Sequence, residues 1–203
     1  MKPLGENENG NSMYANRDRF ISLLESVKRD GIAELIGWLK ESDFFTAPAS
    51  RAYHGAYAGG LCEHSLNVYD ELVRLLKAYP EISVQDDTVI VSSLLHDLCK
   101  VNFYAVEKRN RKNDETGQWE KVDAYTIKER FCFGGHGSKS MYLAQHFIKL
   151  TPEEAVAINN HMSAFQSDAN DVGRAFEAFP FAWLLSVADQ ASCYIRENKQ
   201  WQK

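Results

Sequence analysis

Val89-Ile90-Val91-Ser92-Ser93-Leu94-Leu95-His96-Asp97-Leu98-Cys99-Lys100 is an almost unbroken apolar run that ends in an imidazole, a carboxylate and an ammonium. Burying an aspartate in such a run is costly unless something offsets its charge. A metal ion held by the adjacent His96 would do so. The run is apolar on most sides, which predicts a central helix of a bundle. Ser83 reads as its N-cap and Asp86 as a favourable acidic residue in its first turn. The helix is expected to run to about Val101, with His96 and Asp97 near its C-terminal end.

Outward from this run, residues 61–78 read as a long helix. It begins after Gly59-Gly60 and stops at Pro80, which cannot continue it. His64, Val68, Leu72 and Leu75 share one face, so His64 points inward from the first turn. Phe20, Leu23, Leu24 and Val27 fall at i, i+3, i+4 and i+7 and predict a helix from near Arg17. Ile32, Leu35, Ile36 and Leu39 predict another over residues 31–40. These two carry no evident chemistry and read as a lid or support. Residues 44–60 are aromatic and turn-like, punctuated by Pro48, Gly55, Gly59 and Gly60.

Residues 103–127 change character. Phe103-Tyr104-Ala105-Val106 and residues 122–127 favour strand, and the polar stretch between them reads as the turn of an inserted β-hairpin. Lys108, Arg109, Arg111 and Lys112 make its tip basic: a solvated turn, or a flap that touches an anionic substrate. Helices resume over residues 137–150, directly after His136. Thr151-Pro152-Glu153-Glu154 is a helix start with Thr as N-cap, Pro at N1 and Glu at N3, and that helix ends near His161. A loop is expected over residues 163–179. The last helix begins near Pro180, with Phe181, Leu184, Leu185 and Ala188 buried and Asp189 beside them. The expected architecture is all-α: one helical bundle over residues 17–203 with a small hairpin inserted at about 103–127. A polar, Asn- and Gly-rich leader over residues 1–16 is expected to be disordered.

The chain of 203 residues is long enough for one well-buried core. Its hydrophobic fraction of 44% and charged fraction of 25% are ordinary for a globular protein. A net charge of −5 argues against a broad electrostatic grip on long nucleic acid. Cys62, Cys99, Cys132 and Cys193 form no CxxC pair, and reduced cytoplasmic thiols are the expectation. No apolar run reaches membrane-spanning length, and the N-terminus lacks the apolar core of a signal peptide. Oligomeric state is left open.

The residues with chemistry are His64, His96, Asp97, His136, His161 and Asp189. Each lies at a helix end or beside an apolar face. Imidazole and carboxylate suit divalent ions such as Mn, Fe, Ni, Co, Zn or Mg, and a set without thiolate argues against a structural zinc site. Six donors exceed the need of one metal that keeps an open position. They suit two metals, with Asp97 as the natural bridge. His146 reads instead as a hydrogen-bonded core histidine. Phe44, Phe45, Tyr53, Tyr57 and Phe165 read as core or as walls of a base-stacking pocket.

The order His64, His96-Asp97, Asp189 resembles the HD-domain superfamily of metal-dependent phosphohydrolases. Gly59-Gly60-Leu61-Cys62-Glu63-His64-Ser65 and Leu94-Leu95-His96-Asp97-Leu98-Cys99-Lys100 are close to the forms of that family. His136 in Gly135-His136-Gly137 and His161 in Asn159-Asn160-His161 look like the extra histidines of its binuclear branch. The nearest likeness, over about residues 50–195, is to the HD domain of bacterial 3′–5′ exoribonucleases of the YhaM type. Two departures are expected, no preceding oligonucleotide-binding domain and an inserted hairpin, and both argue against long RNA substrates. The resemblance implies a first metal on His64, His96, Asp97 and Asp189, and a second on Asp97, His136 and His161. It implies a metal-bound hydroxide as nucleophile and a nucleotide or short oligonucleotide phosphoester as substrate. Lys100, one turn beyond Asp97, is placed to meet a phosphate oxygen. Glu63 and His54 are candidates for orientation or proton transfer. Two other classes stand beside this one: a di-iron oxygenase on the same ligand set, and a non-catalytic nucleotide-binding module.

Overall fold

The computed structural model describes residues 10–113, 116–128, 134–165 and 168–197. Its element order is α1 (Gly10–Ser26), α2 (Ile32–Glu41), α3 (Gly60–Ala78), α4 (Asp86–Leu95), β1 (Tyr104–Lys112), β2 (Trp119–Ile127), α5 (His136–Gln145), α6 (Pro152–Asn160), α7 (Ala169–Ala178) and α8 (Pro180–Ala191). The fold is a helical bundle with a two-stranded antiparallel hairpin inserted, as expected. No described helix is long and apolar enough to cross a membrane.

Two hydrophobic clusters share α3 as their common wall. Leu61 and Leu66 of α3 pack with Phe20, Leu24, Leu35 and Leu39 of the N-terminal helices and with Leu94 and Leu95 of α4. Val68 and Leu72, further along α3, pack with Phe181, Leu184 and Leu185 of α8 and Ala157 of α6. The first two helices are therefore core walls rather than a lid. Helix α1 also starts ahead of the expected Arg17, because Met13 closes on Gly59 and Arg17 lies 5.7 Å over the Phe45 ring. Residues 1–9 of the expected leader lie outside the described residues.

The central helix is shorter than the apolar run. Gln85, rather than Ser83, is its N-cap. It ends at Leu95, Asp97 adopts φ −110° and ψ 22°, and a 3₁₀ turn follows over Leu98–Lys100. Apolar composition alone cannot show that break. The expected loop at residues 163–179 contains α7, whose N-cap Asp168 accepts hydrogen bonds from the N–H groups of Asn170 and Asp171. Residues 166 and 167 of that stretch lie outside the described residues.

The Thr151 capping box is present in full. Its Glu154 is 0% exposed and also takes a bidentate pair from Arg29, with oxygens at 2.6 and 2.7 Å. This pair pins the α1–α2 connection to the start of α6. Gly137 sets a second fixed approach: a Cβ there would lie 2.1 Å from the Asn159 carbonyl oxygen. Only glycine lets α5 sit that close to α6.

Arg29→Ala should leave the Glu154 carboxylate buried without its cation. Breaking one side of a buried pair costs about 3–5 kcal/mol, to be read as a lowered urea midpoint. A loss under about 1 kcal/mol would show that the capping box alone holds Glu154.

Candidate metal centre

Five helix ends supply the side chains. His64 stands in the first turns of α3, His96 caps the C-terminus of α4, and His136 opens α5. His161 caps the C-terminus of α6, and Asp189 lies in the last turn of α8. The C-terminal ends of α4 and α6 carry the negative end of the helix dipole, which favours a cation between them.

Asp97 is the centre, at 2% exposure. Its two oxygens face different groups. Oδ2 lies 3.3 Å from His96 Nε2 and 3.6 Å from His64 Nε2. Oδ1 lies 3.6 Å from His161 Nε2 and 3.8 Å from the Cys99 sulfur. Asp189 Oδ1 stands 3.1 Å from His64 Nε2 and 4.0 Å from His96 Nε2. His136 is on the Oδ1 side, with its Nδ1 3.4 Å from the Cys99 sulfur. The structure thus brings all six sequence-selected donors into one continuous cluster.

The imidazoles are held in one orientation. His96 Nδ1 donates to the Ser93 carbonyl at 2.8 Å, and His161 Nδ1 to the Ile158 carbonyl at 2.7 Å. His64 Nδ1 lies 2.9 Å from Glu197 Oε1. With every Nδ1 engaged, the three Nε2 atoms are left to point inward. Two of them, on His96 and His64, approach to 3.3 Å. Nε2 of His161 is buried and makes no hydrogen bond. Converging imidazole nitrogens and carboxylates, with one nitrogen buried and not hydrogen-bonded, fit a divalent cation. These buried His, Asp and Cys groups are positioned to hold one or two.

Lys100 is the charge partner of Asp97. The 3₁₀ turn eclipses residues three apart and brings Lys100 Nζ to 2.5 Å from Asp97 Oδ2. Burial opposes charging both groups, but their mutual attraction wins. It holds the Asp97 carboxyl well below its usual range and the Lys100 ammonium well above. Burial would lower the His64 pKa, yet Glu197 and Asp189 outweigh it and push it up to about 10. Asp189 is driven down against burial by its hydrogen bond to His64.

The remaining candidates lie at the edge. The His54 ring is 4.9 Å from that of His64, and its buried Nε2 makes no hydrogen bond. Burial and the neighbouring His64 lower its pKa to about 4, so the ring is neutral at neutral pH and suited to accept a hydrogen bond rather than to take up a proton. Glu63 instead shares a hydrogen bond with Tyr57 and joins none of the donor groups among the described residues. His146 is exposed and faces Tyr142 and Phe147, not the core. Of the five singled-out aromatics, Phe44 and Phe45 are core, whereas Tyr53 and Phe165 are 83% and 75% exposed.

Three participants are not apparent from the sequence motifs. Cys99 and Cys193 line the cluster, the latter with its sulfur 3.5 Å from Asp189 Oδ1. Their spacing, two residues after Asp97 and four after Asp189, is a usable signal. Both sulfurs thus stand beside the expected nitrogen and oxygen donors, and burial raises the pKa of each thiol. Glu197 follows a π turn at Ser192–Arg196, where helical periodicity fails. That turn is anchored by Arg196 on Glu71, and Asn67 Nδ2 donates to Glu197 Oε1 at 3.0 Å.

Two outcomes follow for metal binding. Below pH 10 the raised pKa keeps His64 protonated, so a metal must displace its Nε2 proton. Calorimetry in buffers of different ionisation heat should show proton release at pH 7, and affinity should fall as pH falls. Heats independent of buffer would place His64 outside the bound set. Glu197→Ala should weaken metal affinity about 10–100-fold, as loss of a ligand's hydrogen-bond partner does, without losing helicity by circular dichroism. Unchanged affinity would leave Glu197 no part in orienting His64.

The sequence model of the HD domain family matches residues 61–191, which takes in every helix end of the cluster and stops short of Glu197. Among curated proteins, a dihydroneopterin 2′,3′-cyclic phosphate phosphodiesterase of Methanocaldococcus jannaschii is 32% identical over 84 residues. That stretch is 40% of this chain and 31% of the relative, so the chain spans under a third of the relative's length. No solved structure matches the chain. The family match over most of the chain and the buried His and Asp cluster agree: the chain belongs to the HD-domain family, with the fold of metal-dependent phosphohydrolases.

Proposed function

We propose that this protein is a phosphodiesterase that uses two divalent metal ions to hydrolyse a nucleotide or short oligonucleotide. The observation that carries this reading is the way Asp97 divides its oxygens. Oδ2 faces His64 and His96, and Oδ1 faces His161 and the Cys99–His136 pair. A carboxylate so placed is suited to bridge two cations. His64, His96 and Asp189 would complete one position, and His136 and His161 the other.

When bound, such ions supply Lewis-acid polarisation of a phosphoryl oxygen and an activated water as nucleophile. The chain's own groups do the rest. Lys100 holds a buried positive charge beside Asp97, and a non-bridging phosphate oxygen arriving there would share that ammonium. His54, neutral and without a hydrogen bond at its buried Nε2, would orient a water or a substrate hydroxyl at the edge of the His64 side. The hydrogen bonds on each Nδ1 hold the imidazoles in place before substrate arrives, so little reorganisation is needed. The name of the archaeal relative describes cleavage of a cyclic phosphodiester, which favours diester over monoester substrates here. The likeness of the motifs to exoribonucleases points the same way.

Hydrolysis of bis(4-nitrophenyl) phosphate with added Mn²⁺ should be detectable, and faster than that of 4-nitrophenyl phosphate. Asp97→Asn keeps the side-chain shape and should lower turnover by about three powers of ten or more, since several kcal/mol of transition-state stabilisation depend on the site. His146→Ala, far from the cluster, should change neither turnover nor metal content. Wild-type turnover in the Asp97→Asn variant would refute the assignment. No hydrolysis, with two irons per chain and consumption of dioxygen, would replace it with the oxygenase reading.

A further inference from the structure

The hairpin is the one described element whose chemistry the metal centre does not account for. Its register pairs Tyr104 with Ile127, Val106 with Tyr125, Lys108 with Asp123, Asn110 with Lys121 and Lys112 with Trp119. Directly opposed residues share a face, and residues two apart stay on it. One face of the hairpin therefore carries all ten of these side chains. The Tyr104 and Tyr125 rings, 6.2 Å apart, and the Lys108–Asp123 pair at 2.8 Å follow this alternation.

That face changes character along its length. Near the base it is aromatic and apolar, with Tyr104, Tyr125, Val106 and Ile127. Towards the tip it carries Lys108, Lys121 and Lys112 beside Trp119. Val106, Ile127 and Trp119 are 54%, 50% and 72% exposed. An isolated two-stranded hairpin is marginal in water, and large apolar side chains on it are unusual unless something covers them. The base is continuous with the catalytic cluster: Tyr104 lies within electrostatic reach of Lys100, Asp97 and the exposed Arg51. Phe103, one residue earlier, packs against Tyr104 at 5.0 Å and against His136 at 6.3 Å.

We propose that this face, from Tyr104 to Trp119, is a track for single-stranded nucleic acid that leads one end of the strand into the metal centre. The proposal rests on the phosphodiesterase reading and narrows its substrate to an oligonucleotide. Aromatic side chains set among lysines suit such a strand, because bases stack on the rings while phosphates meet the ammonium groups. Strand β1, with 9 residues, reaches about 27 Å from end to end at the usual rise of a strand. That is enough for roughly four nucleotides, a small single-strand site. The short span also agrees with a net charge of −5, which opposes a long electrostatic footprint. A second copy of the chain is the less favoured occupant. Three lysines against one aspartate leave the face net positive, and a two-fold contact would set that charge against itself.

The test uses the full chain and a fluorescein-labelled oligothymidylate about ten nucleotides long, alongside its ribo counterpart, read by anisotropy. Trp119→Ala should weaken binding about tenfold, the usual effect of removing one stacking ring. Lys112→Ala with Lys121→Ala should weaken it and flatten the slope of log affinity against log salt by about 1.4, or about 0.7 for each phosphate of a single strand that is no longer neutralised. All three side chains are exposed, so circular dichroism should be unchanged. Turnover of bis(4-nitrophenyl) phosphate, which is too small to reach the tip, should also be unchanged. Absence of oligonucleotide binding by the wild type would overturn the track, as would affinity unaffected by the variants. Sedimentation showing that the variants dissociate an oligomer, with oligonucleotide affinity unchanged, would assign the face to a second copy instead. Hairpin-dependent binding without any hydrolysis would leave the track standing and remove the phosphodiesterase reading.

Discussion

An aspartate at 2% exposure, set at the end of an apolar helix, must be surrounded by positive charge or by donors that can hold a cation. Asp97 has both. Lys100 meets one of its oxygens through a single tight turn, and imidazoles from the ends of α3, α4 and α6 approach both oxygens. Ending α4 at Leu95 is what makes this geometry available. A continued α-helix would leave Lys100 about 60° short of a full turn from Asp97, so the two side chains would not eclipse. The departure from regular helix at residues 96–100 is thus part of the site's construction.

The rest of the bundle can be understood as holding those imidazoles still. His96 and His161 each donate to a carbonyl three residues back, a contact available because each caps a helix C-terminus. His64 lies early in its helix, and its Nδ1 is engaged by a side chain rather than a carbonyl. Glu197 serves instead, brought in by the π turn that follows α8. Such turns interrupt helices most often where function requires a side chain to be redirected. The Arg29–Glu154 pair and the close approach at Gly137 fix α6 and α5, which carry His161 and His136. Two hydrophobic clusters on α3 then keep the helix ends in register.

Most of the helices are legible in the sequence because amphipathic periodicity, a capping box and glycine or proline boundaries are local signals. The hairpin is legible as a switch in residue preference. Helix α7 is legible on the same terms, with Asp168 as N-cap and Val172, Ala175, Phe176 and Phe179 at helical spacing, although its polar residues read as a loop. The true end of α4 is hidden by uniform apolarity. The donor set His64, His96, Asp97, His136, His161 and Asp189 can be collected from motif order, yet motif order says nothing of which oxygen of Asp97 faces which imidazole.

The sequence by itself determined an all-α bundle with an inserted hairpin, and the residues whose chemistry suits a divalent cation. Periodicity and residue type act over a few positions and are written directly into the chain. The tertiary structure decided what depends on distances between remote segments. It placed Glu197 133 positions along the chain from His64, drew Cys99 and Cys193 to the cluster, and turned Glu63 towards Tyr57. It also gathered aromatic and basic side chains on one face of the hairpin, whose base packs through Phe103 near His136. Those outcomes follow from how helices with buried faces settle against one another, a competition among long-range contacts that no local pattern encodes.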